Sequence, residues 1–201
     1  MTTIYGNTVP AGPIEGCTVG IPGWVNVENG IAAAAAALIG GLEPQEVKEA
    51  LAAFQGVERR FDVHINTPKL TYIDDYAHHP RELSSAISSI RNIFPGRKIT
   101  AIFQPHLYTR TRDFAAEFAQ SLSMLDELIL LDIYPARELP IEGITSEIIF
   151  KDVAVGKKTL IKKEEVLDFL KEKELDILIT FGAGDIDRLI VPIETMLNGR
   201  L

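Results

Sequence analysis

The stretch of sequence that decides the fold covers residues 72–80 and reads YIDDYAHHP. Its positions 74–79 bring two carboxylates, a phenol and two imidazoles to the end of a short apolar strand, which we predict over Leu70–Asp74. A second predicted strand, Ile99–Gln104, ends in the turn PHLYTRTR at residues 105–112. Reactive side chains at the carboxyl ends of strands are what an open α/β sheet uses to build a ligand crevice. The chain is therefore predicted to contain a ligand-binding α/β domain.

The rest of the chain after Lys69 alternates short apolar runs with amphipathic stretches. The predicted strands are Leu70–Asp74, Ile99–Gln104, Glu127–Ile133, Thr159–Ile161 and Ile177–Phe181. The predicted helices are Arg81–Phe94, Thr111–Met124, Ser146–Lys151, Lys163–Lys173 and Ile186–Leu197. This alternation favours right-handed crossovers and a mostly parallel sheet with helices on both faces.

The amino-terminal part has a different pattern. Its first 25 residues, rich in Gly, Pro and Thr, are interpreted as loop or a broken strand remnant, and helices are predicted over Ile31–Ile39 and Pro44–Phe54. Such a piece is too small to bury a core alone. We predict that residues 1–62 form an incomplete helical remnant of a domain and that residues 63–201 form a complete domain.

Composition excludes several classes of protein. The 201 residues carry a formal net charge of −8 and no block of Lys and Arg, so a nucleic-acid partner is not expected. No run of 18 apolar residues occurs, so membrane insertion is not expected either. A single cysteine, Cys17, excludes an internal disulfide and fits a reduced compartment, and we expect a cytoplasmic protein.

The first reactive turn has three interpretations. Strand alternation sends Asp74 and Asp75 to opposite faces of the sheet. In one interpretation Asp75 or His79 only caps the helix that follows Pro80. In a second, an aspartate holds a sugar hydroxyl and a histidine, His78 or His79, holds an anion. In a third, the turn supplies oxygen and nitrogen ligands to a metal ion.

The second reactive turn points to anion binding. Amides that open a helix, with an arginine beside them, form a cradle for a carboxylate or phosphate. Arg110 lies where the crevice is expected, whereas Arg112 can simply pair with Asp113 or Glu117 on the helix surface. His106 follows a proline and is either a turn residue or part of the site.

The sequence GAGDI at residues 182–186 follows the last predicted strand. It is interpreted as a tight turn in which Asp185 caps the last helix. It is not a phosphate-binding loop, because the pattern GxxxxGK[ST] occurs nowhere in the chain.

Four blocks together carry a family resemblance, and they read PGWVNVEN (22–29), GVERRFD (56–62), DDYAHHP (74–80) and FQPHLYTRTR (103–112). In this order they resemble the Mur ligases of peptidoglycan synthesis, and LDIYPARELPI (131–141) and GAGDI (182–186) extend the match. The two histidine-containing blocks favour the alanine-adding member of that family.

The resemblance implies a three-domain, ATP-dependent, amide-forming enzyme. In that family a substrate carboxylate becomes an acyl phosphate, which the amino acid's amine attacks. The implied substrates are UDP-N-acetylmuramate and L-alanine, and the implied cofactors are ATP and Mg²⁺. This chain would then supply the tail of the central ATP-binding domain and the whole Rossmann-like third domain, a lid that binds amino acid and nucleotide.

The resemblance also implies roles for eight residues. The cofactor-binding residues would be Asn26 and Asn29 near the adenine, Arg60 near the phosphates and Asp75 near the ribose. The substrate-binding residues would be Tyr76, His78, His106 and Arg110, and the last three of these would be catalytic. Leu107 stands where many members of the family have arginine. No metal ligand is expected in this chain.

This sequence has no counterpart of three features of the family: the domain that binds the UDP-sugar, the Gly-rich ATP loop and the carboxylates that bind magnesium. We therefore expect a carboxyl-terminal portion that is inactive alone and has the missing ligase domains as its partners. Two other classes stay open. One is a metal-dependent hydrolase that uses Asp74, Asp75, His78, His79 and His106. The other is a non-catalytic assembly module.

Overall fold

The chain divides into two compact units, Met1–Val57 and Glu58–Leu201. The computed structural model describes residues 2–4 and 7–9 as backbone and residues 13–201 with their side chains. The predicted domain boundary lay at 62/63, a few residues later. That the first unit is the tail of an ATP-binding domain stays a prediction.

The first unit contains two short strands and two helices. Its elements are β1 (Thr2–Ile4), β2 (Asn7–Val9), α1 (Trp24–Ile39) and α2 (Pro44–Ala53). The two strands pair antiparallel. The segment of the first 25 residues, predicted as loop or a broken strand, therefore contains two short paired strands, and its positions 1, 5, 6 and 10–12 lie outside the described residues.

The predicted start of α1 at Ile31 was wrong. The helix begins at Trp24, after Gly23 in the left-handed region with φ 105°. Gly30 was interpreted as preceding the helix, but it is a buried residue inside it. A Cβ atom there would lie 3.0 Å from Val19 Cγ2, so this glycine serves close packing and not helix initiation.

The second unit is an α/β domain. Its strands are β3 (Asp62–Asn66), β4 (Thr71–Asp75), β5 (Ile99–Phe103), β6 (Glu127–Leu130), β7 (Lys157–Leu160) and β8 (Ile177–Phe181). Its α-helices are α3 (Pro80–Ile93), α4 (Tyr108–Asp113), α5 (Ala115–Leu122), α6 (Glu147–Phe150), α7 (Val166–Leu170) and α8 (Ile190–Asn198). Two 3₁₀ helices, Lys163–Glu165 and Asp185–Leu189, precede α7 and α8.

The six strands form one sheet in the order β3-β4-β8-β5-β6-β7. Strand β3 runs antiparallel to β4, and all other neighbours are parallel. The predicted fold class, a mostly parallel Rossmann-like sheet, is confirmed. All five predicted strands exist within a few residues of their predicted bounds.

Strand β3 was missed. Its sequence DVHIN carries polar residues at three of five positions, and its pairing with β4 shifts register between Val63 and Ile65. A short antiparallel edge strand is stabilised mainly by its one neighbour, so its sequence carries a weak signal. The prediction left this segment unassigned.

One predicted helix is two helices. Thr111–Met124 was predicted as continuous, but the chain breaks at Phe114, which has φ −120° and separates α4 from α5. The Phe114 ring packs edge-on against His79, with the ring centroids 4.9 Å apart. This tertiary contact accompanies a break that helix propensity alone does not reveal.

Both faces of the sheet are covered, as predicted. Side chains that alternate along each strand belong to two separate cores, as Ile73 and Tyr72 show on β4. Helices α3, α5 and α6 pack on the first face. Helices α7 and α8 pack on the second. Strands buried on both faces read as continuous apolar runs, which is why the sequence identified them.

We predict that Phe118→Ala lowers the free energy of unfolding by about 3–5 kcal/mol, because it leaves a cavity in a close-packed core. Phe118 is fully buried, and its ring lies 5.4 Å from that of Phe103. Leu139→Ala is the control, since Leu139 is 84% exposed, and it should change stability by less than about 0.5 kcal/mol. Urea unfolding followed by circular dichroism measures both. Equal effects would contradict this account of the core.

Candidate ligand site at the carboxyl edge of the sheet

Two turns that are far apart in the sequence meet at the carboxyl ends of β4 and β5. The rings of His78 and His106 have their centroids 5.9 Å apart. Tyr76 lies edge-on to His78 at 5.2 Å, and Tyr134 stacks on His106 at 5.6 Å with 28° between the planes. The prediction that the tyrosine–histidine turn and the histidine–arginine turn converge is confirmed. We call this edge the rim.

His78 is oriented by its own turn. Its Nδ1 lies 2.9 Å from the carbonyl oxygen of Tyr76. Since a carbonyl oxygen only accepts, Nδ1 carries a hydrogen in this contact. In the neutral imidazole the other nitrogen, Nε2, is then left as an acceptor. A carboxylate oxygen of Glu82 lies 3.5 Å from Nδ1 and supports the same orientation.

His106 has the opposite arrangement. Its Nδ1 lies 3.4 Å from Nη1 of Arg110, and a guanidinium has only donors, so Nδ1 is the acceptor. The hydrogen of the neutral ring is therefore on Nε2. Burial, and then the positive charges of Arg110 and His78, lower the pKa of His106 below its ordinary value. The two neighbouring imidazoles thus offer one acceptor and one donor.

Arg110 is the predicted anion-binding residue, and its charge is not neutralised locally. It is partly buried on α4 and makes no ion pair with any residue of the described chain. Arg112, two residues later, is exposed and donates to Asp113 over 2.8 Å. The interpretation of Arg112 as a surface ion pair is confirmed. Arg110 remains available for a carboxylate or phosphate.

The turn that carries Arg110 is held from the loop after β6. A carboxylate oxygen of Glu138 accepts the backbone N–H of Thr109 over 3.0 Å, and its other oxygen accepts the Thr109 hydroxyl. These hydrogen bonds lower the pKa of Glu138. Leu107, which precedes the helix, has φ 72° and ψ 136°, a backbone conformation that residues other than glycine rarely adopt. Strain of this kind persists where surrounding contacts fix the backbone, as they do here.

Arg59 and Asp74 form a buried ion pair behind the rim. The Asp74 side chain is fully buried, and Arg59 Nε lies 3.2 Å from its Oδ2. The Thr180 hydroxyl donates to Asp74 Oδ1 over 2.6 Å. Burial raises the pKa of Asp74. Arg59 also donates from Nη2 to the carbonyl oxygen of Gly182 over 2.6 Å. From the sequence, Arg59 and Arg60 were interpreted as a basic pair that is either a solvated hinge or an anion contact. For Arg59 the hinge interpretation was wrong, because its partner is Asp74, 15 residues away.

Tyr76 lies against two guanidinium groups. The central carbons of Arg59 and Arg60 are each 5.1 Å from its ring centroid. Both contacts are of the cation–π type. Arg60 is exposed and has no carboxylate partner among the described residues. Its position beside the rim is compatible with the predicted contact to a phosphate.

Asp75 has a structural task in addition to its predicted role at a ribose. Its two oxygens accept the backbone N–H groups of Ala77 and Phe61, over 2.8 and 2.9 Å. Burial raises the pKa of Asp75 to about 6, against the effect of these hydrogen bonds. The carboxylate therefore ties the turn after β4 to the segment before β3. Ribose binding by Asp75 stays a prediction.

The other two predicted cofactor residues belong to the first unit. Asn26 lies on α1 and donates from Nδ2 to the carbonyl oxygen of Pro22 over 2.6 Å. Asn29 lies one turn further along α1 and is exposed. Their predicted contact with an adenine stays a prediction.

The capping interpretation is confirmed for His79. It is the N-cap of α3, and its Nδ1 accepts the backbone N–H of Arg81 over 3.4 Å. Glu82 completes a capping box by accepting the backbone N–H groups of His78 and His79, over 2.9 and 3.1 Å. His79 therefore shapes the turn, while His78 faces the rim.

The interpretation of Asp185 as a helix cap was wrong. The N-cap is Gly184, and Asp185 instead accepts the side-chain amide of Gln104 over 2.9 Å and forms an ion pair with Lys163. The helix amide is satisfied by Gln104, whose Oε1 accepts the N–H of Ile186 over 3.0 Å. Gln104 thus joins the ends of β5 and β8, which are neighbours in the sheet but distant in the sequence.

The rim contains guanidinium groups that form no ion pair with the described part of the chain. The formal net charge of the chain is −8. Among the described residues, Arg59 forms an ion pair with Asp74, whereas Arg60 and Arg110 form none, although the charge of Arg60 acts on Asp75. A guanidinium without an ion pair can bind a carboxylate or a phosphate through two parallel hydrogen bonds. The rim is therefore suited to anions.

No group of three or more His, Cys, Asp or Glu side chains within residues 13–201 lies close enough together to hold a metal ion. No helix in that same part of the chain is long and apolar enough to cross a bilayer.

Fold and rim together define an α/β domain in which histidine, tyrosine and arginine side chains meet at the carboxyl edge of a Rossmann-like sheet. Residues 59–184 match the family described as Mur ligase, glutamate ligase domain, and the chain belongs to this family. The family resemblance that the sequence motifs indicated is confirmed.

Individual relatives carry a more specific name. The chain is 55% identical over 179 residues to UDP-N-acetylmuramate–L-alanine ligase of Parabacteroides distasonis and 51% identical over 190 residues to that of Phocaeicola vulgatus. These alignments cover 89% and 94% of this chain but only 39% and 42% of the relatives. The crystal structure of UDP-N-acetylmuramate-alanine ligase MurC from Thermotoga maritima superposes with a TM-score of 0.76 at 27% identity, covering 92% of this chain and 40% of that one. The chain therefore spans about two fifths of the proteins it matches.

We expect Arg59→Ala to lower the free energy of unfolding by about 3–5 kcal/mol, because it leaves the carboxylate of Asp74 buried without a counter-charge. Urea unfolding measures the effect. The double variant Arg59→Ala with Asp74→Asn should be less destabilised than the sum of the two single variants, since the partners interact directly. Additive effects would contradict the pairing.

Asp75 gives a prediction about pH. Its pKa is about 6 in the folded chain and 3.8 in its ordinary state, so between these values the folded state binds more protons. The contribution of Asp75 to stability is therefore present below about pH 4 and is lost as the pH rises to 6. Asp75→Asn removes this dependence. The stability of the variant relative to the unmodified chain should rise from pH 4 to pH 6, and parallel curves would refute the assignment.

Proposed function

We propose that this chain is the carboxyl-terminal part of an ATP-dependent ligase that adds L-alanine to UDP-N-acetylmuramate. The proposal is supported by the 55% and 51% identity to ligases of that name. It is also supported by the rim, which gathers Tyr76, His78, His106 and Arg110 in one place. In this proposal the second unit is the lid that binds amino acid and nucleotide.

The observation that carries the proposal is the unneutralised Arg110. A partly buried guanidinium is costly to leave without an anion, and Nη1 of this one lies 3.4 Å from Nδ1 of His106 at the rim. Its two parallel donors match a carboxylate. In this class of reaction the amino acid substrate carries a carboxylate, and the activated acyl group carries a phosphate. We assign Arg110 to the carboxylate of L-alanine.

The two imidazoles supply complementary chemistry. An amine attacks an acyl phosphate only after it has lost a proton. The free acceptor Nε2 of His78 is placed to take that proton, and Nε2–H of His106 can donate to an anionic oxygen. The amide then forms between the alanine nitrogen and the muramate carbonyl carbon, and phosphate leaves.

Nucleotide binding is proposed for the remaining residues. Arg60, exposed beside Tyr76, fits a contact with the ATP phosphates. Asn26 and Asn29 are proposed for the adenine, and Asp75 for the ribose through lone pairs that its two backbone contacts leave free. The described residues do not form a site for Mg²⁺, so we derive no step through that ion.

The rival classes receive less support. For a metal-dependent hydrolase, the proposed ligands are engaged elsewhere: Asp74 pairs with Arg59, Asp75 accepts two backbone amides, and His79 caps α3. A non-catalytic assembly module does not explain why Arg110 lies beside His106 and forms no ion pair with any described residue. The experiment below separates it from the ligase.

The proposal has three further parts: the partners of the chain, its activity alone and the location of the ligase. Because the chain spans 39–44% of the relatives, we propose that the remaining ligase domains are its partners. We propose that the chain makes no ADP by itself and that the complete ligase is cytoplasmic. Formation of ADP by the purified chain with both substrates would contradict the second of these statements.

Arg110 is tested in a chimeric ligase in which this chain replaces the matching part of the Parabacteroides distasonis relative. Arg110→Ala should lower kcat/KM for L-alanine by roughly 30- to 1,000-fold, because a bidentate grip on a charged group contributes about 2–4 kcal/mol. ADP release that depends on L-alanine measures the rate.

Arg112→Ala is the matched control. It removes the same side chain from the same helix, but Arg112 is exposed and paired with Asp113. Its kcat/KM should stay within about twofold of the unmodified chimera, since surface pairs contribute little. Equal losses in the two variants would overturn the role of Arg110. No loss in either would favour the assembly module.

A further inference from the structure

Tyr134 is joined to the second reactive turn by backbone pairing. It lies in the loop after β6 and forms a parallel bridge with His106 beyond the end of the sheet. Leu107 N–H donates to the Tyr134 carbonyl oxygen over 2.9 Å, and Tyr134 N–H donates to the Pro105 carbonyl oxygen over 2.8 Å. These two hydrogen bonds hold the backbone of Tyr134 beside that of His106.

The Tyr134 ring is held between two neighbours. It stacks on His106 with 5.6 Å between centroids and 28° between planes, a favourable offset arrangement. Its inner atoms contact Gly184, where a Cβ atom would lie 2.6 Å from Tyr134 Cγ and 2.7 Å from Tyr134 Cβ. Gly184 has φ −89°, which any residue can adopt, so space and not backbone conformation requires glycine there.

The support behind the ring is itself fixed. Gln104 is buried and contacts the same glycine, since a Cβ on Gly184 would lie 2.6 Å from Gln104 Oε1. Gln104 is held in turn by Asp185 and Ile186, over 2.9 and 3.0 Å. Asp185 is also paired with Lys163. A chain of contacts therefore runs from the end of β8 through Tyr134 to His106.

We propose that Tyr134 is a positioning residue for His106. Its ring, clamped between Gly184 and the imidazole, sets the plane in which Nδ1 faces Arg110 and Nε2 is free for a ligand. The use made of His106 rests on the proposed function, whereas the positioning is a property of this chain alone. The flat ring carries the role, because the Tyr134 hydroxyl makes no hydrogen bond with any described residue.

The charged groups around the imidazole come from three elements. Arg110 faces it from α4, His78 from the turn after β4, and Glu138 from the loop after β6. The first two lower the pKa of His106 and the third raises it, while burial lowers it most. Removal of the stacked ring admits water to one face of the imidazole, and its pKa should then rise.

The test is a titration of the His106 imidazole by nuclear magnetic resonance on the 201-residue chain. Tyr134→Ala should move the titration midpoint upward by roughly half a pH unit or more, toward the ordinary value of about 6.5. Tyr134→Phe keeps the flat ring and should leave the midpoint in place. His64 lies on the edge strand β3, where its ring packs on Tyr72, and its resonances report whether the fold is intact.

If Tyr134→Ala fails to fold, Tyr134→Val replaces it, because valine retains some apolar volume but is too short to cover the face of the imidazole. Gly184→Ala is an independent variant, since its Cβ must displace the Tyr134 ring and should move the His106 midpoint in the same direction. An unchanged midpoint in Tyr134→Ala or in Tyr134→Val, with native His64 resonances, overturns the proposal.

The chimeric ligase separates this proposal from the proposed function. If Tyr134→Ala moves the His106 midpoint and lowers kcat at least tenfold while Tyr134→Phe restores it, both stand. If the midpoint moves but kcat does not change, Tyr134 still positions His106, and it is the catalytic use of His106 that fails. If neither changes, the positioning role fails.

Discussion

The rim depends on the position of strand β8 between β4 and β5. This arrangement places the strands with the two reactive turns about 9.6 Å apart, twice the spacing of paired strands. Side chains can meet across that distance only if the turn between them does not obstruct them. The turn after β8 begins Gly182-Ala183-Gly184, so its side chains are small. The rings of His78 and His106 approach to 5.9 Å at this edge.

The small side chains of the turn after β8 make few contacts that could hold the turn in place, so residues beside it must do so. Two connections provide it, one on each side of β8. Arg59 joins buried Asp74 at the end of β4 to the carbonyl oxygen of Gly182. Gln104 joins the end of β5 to Asp185 and Ile186. Because both connections end on the turn after β8, the geometry of the imidazoles depends on residues that no ligand needs to touch.

The sequence predicted the main elements of the second unit because their signals are local. Strand β8 is an apolar run buried on both faces, and its predicted bounds, Ile177–Phe181, are those observed. Strand β3 was missed because three of its five residues are polar. For the site, Tyr76, His78, His106 and Arg110 were found from their chemistry at strand ends. Their assigned roles rest on the family resemblance and on the experiments proposed above.

What the sequence by itself determined is the class of fold, the two reactive turns and the family. Apolar periodicity, turn residues and motif spacing are properties of neighbouring positions, so one chain displays them. Only the tertiary structure decided which arginine is neutralised and which is free. Arg59 and Arg60 are adjacent in the sequence, yet one pairs with buried Asp74 and the other is exposed beside Tyr76. The same holds for Asp185 and Tyr134, whose partners come from other strand ends. An ion pair or a ring stack depends on distance in space, which sequence separation does not encode.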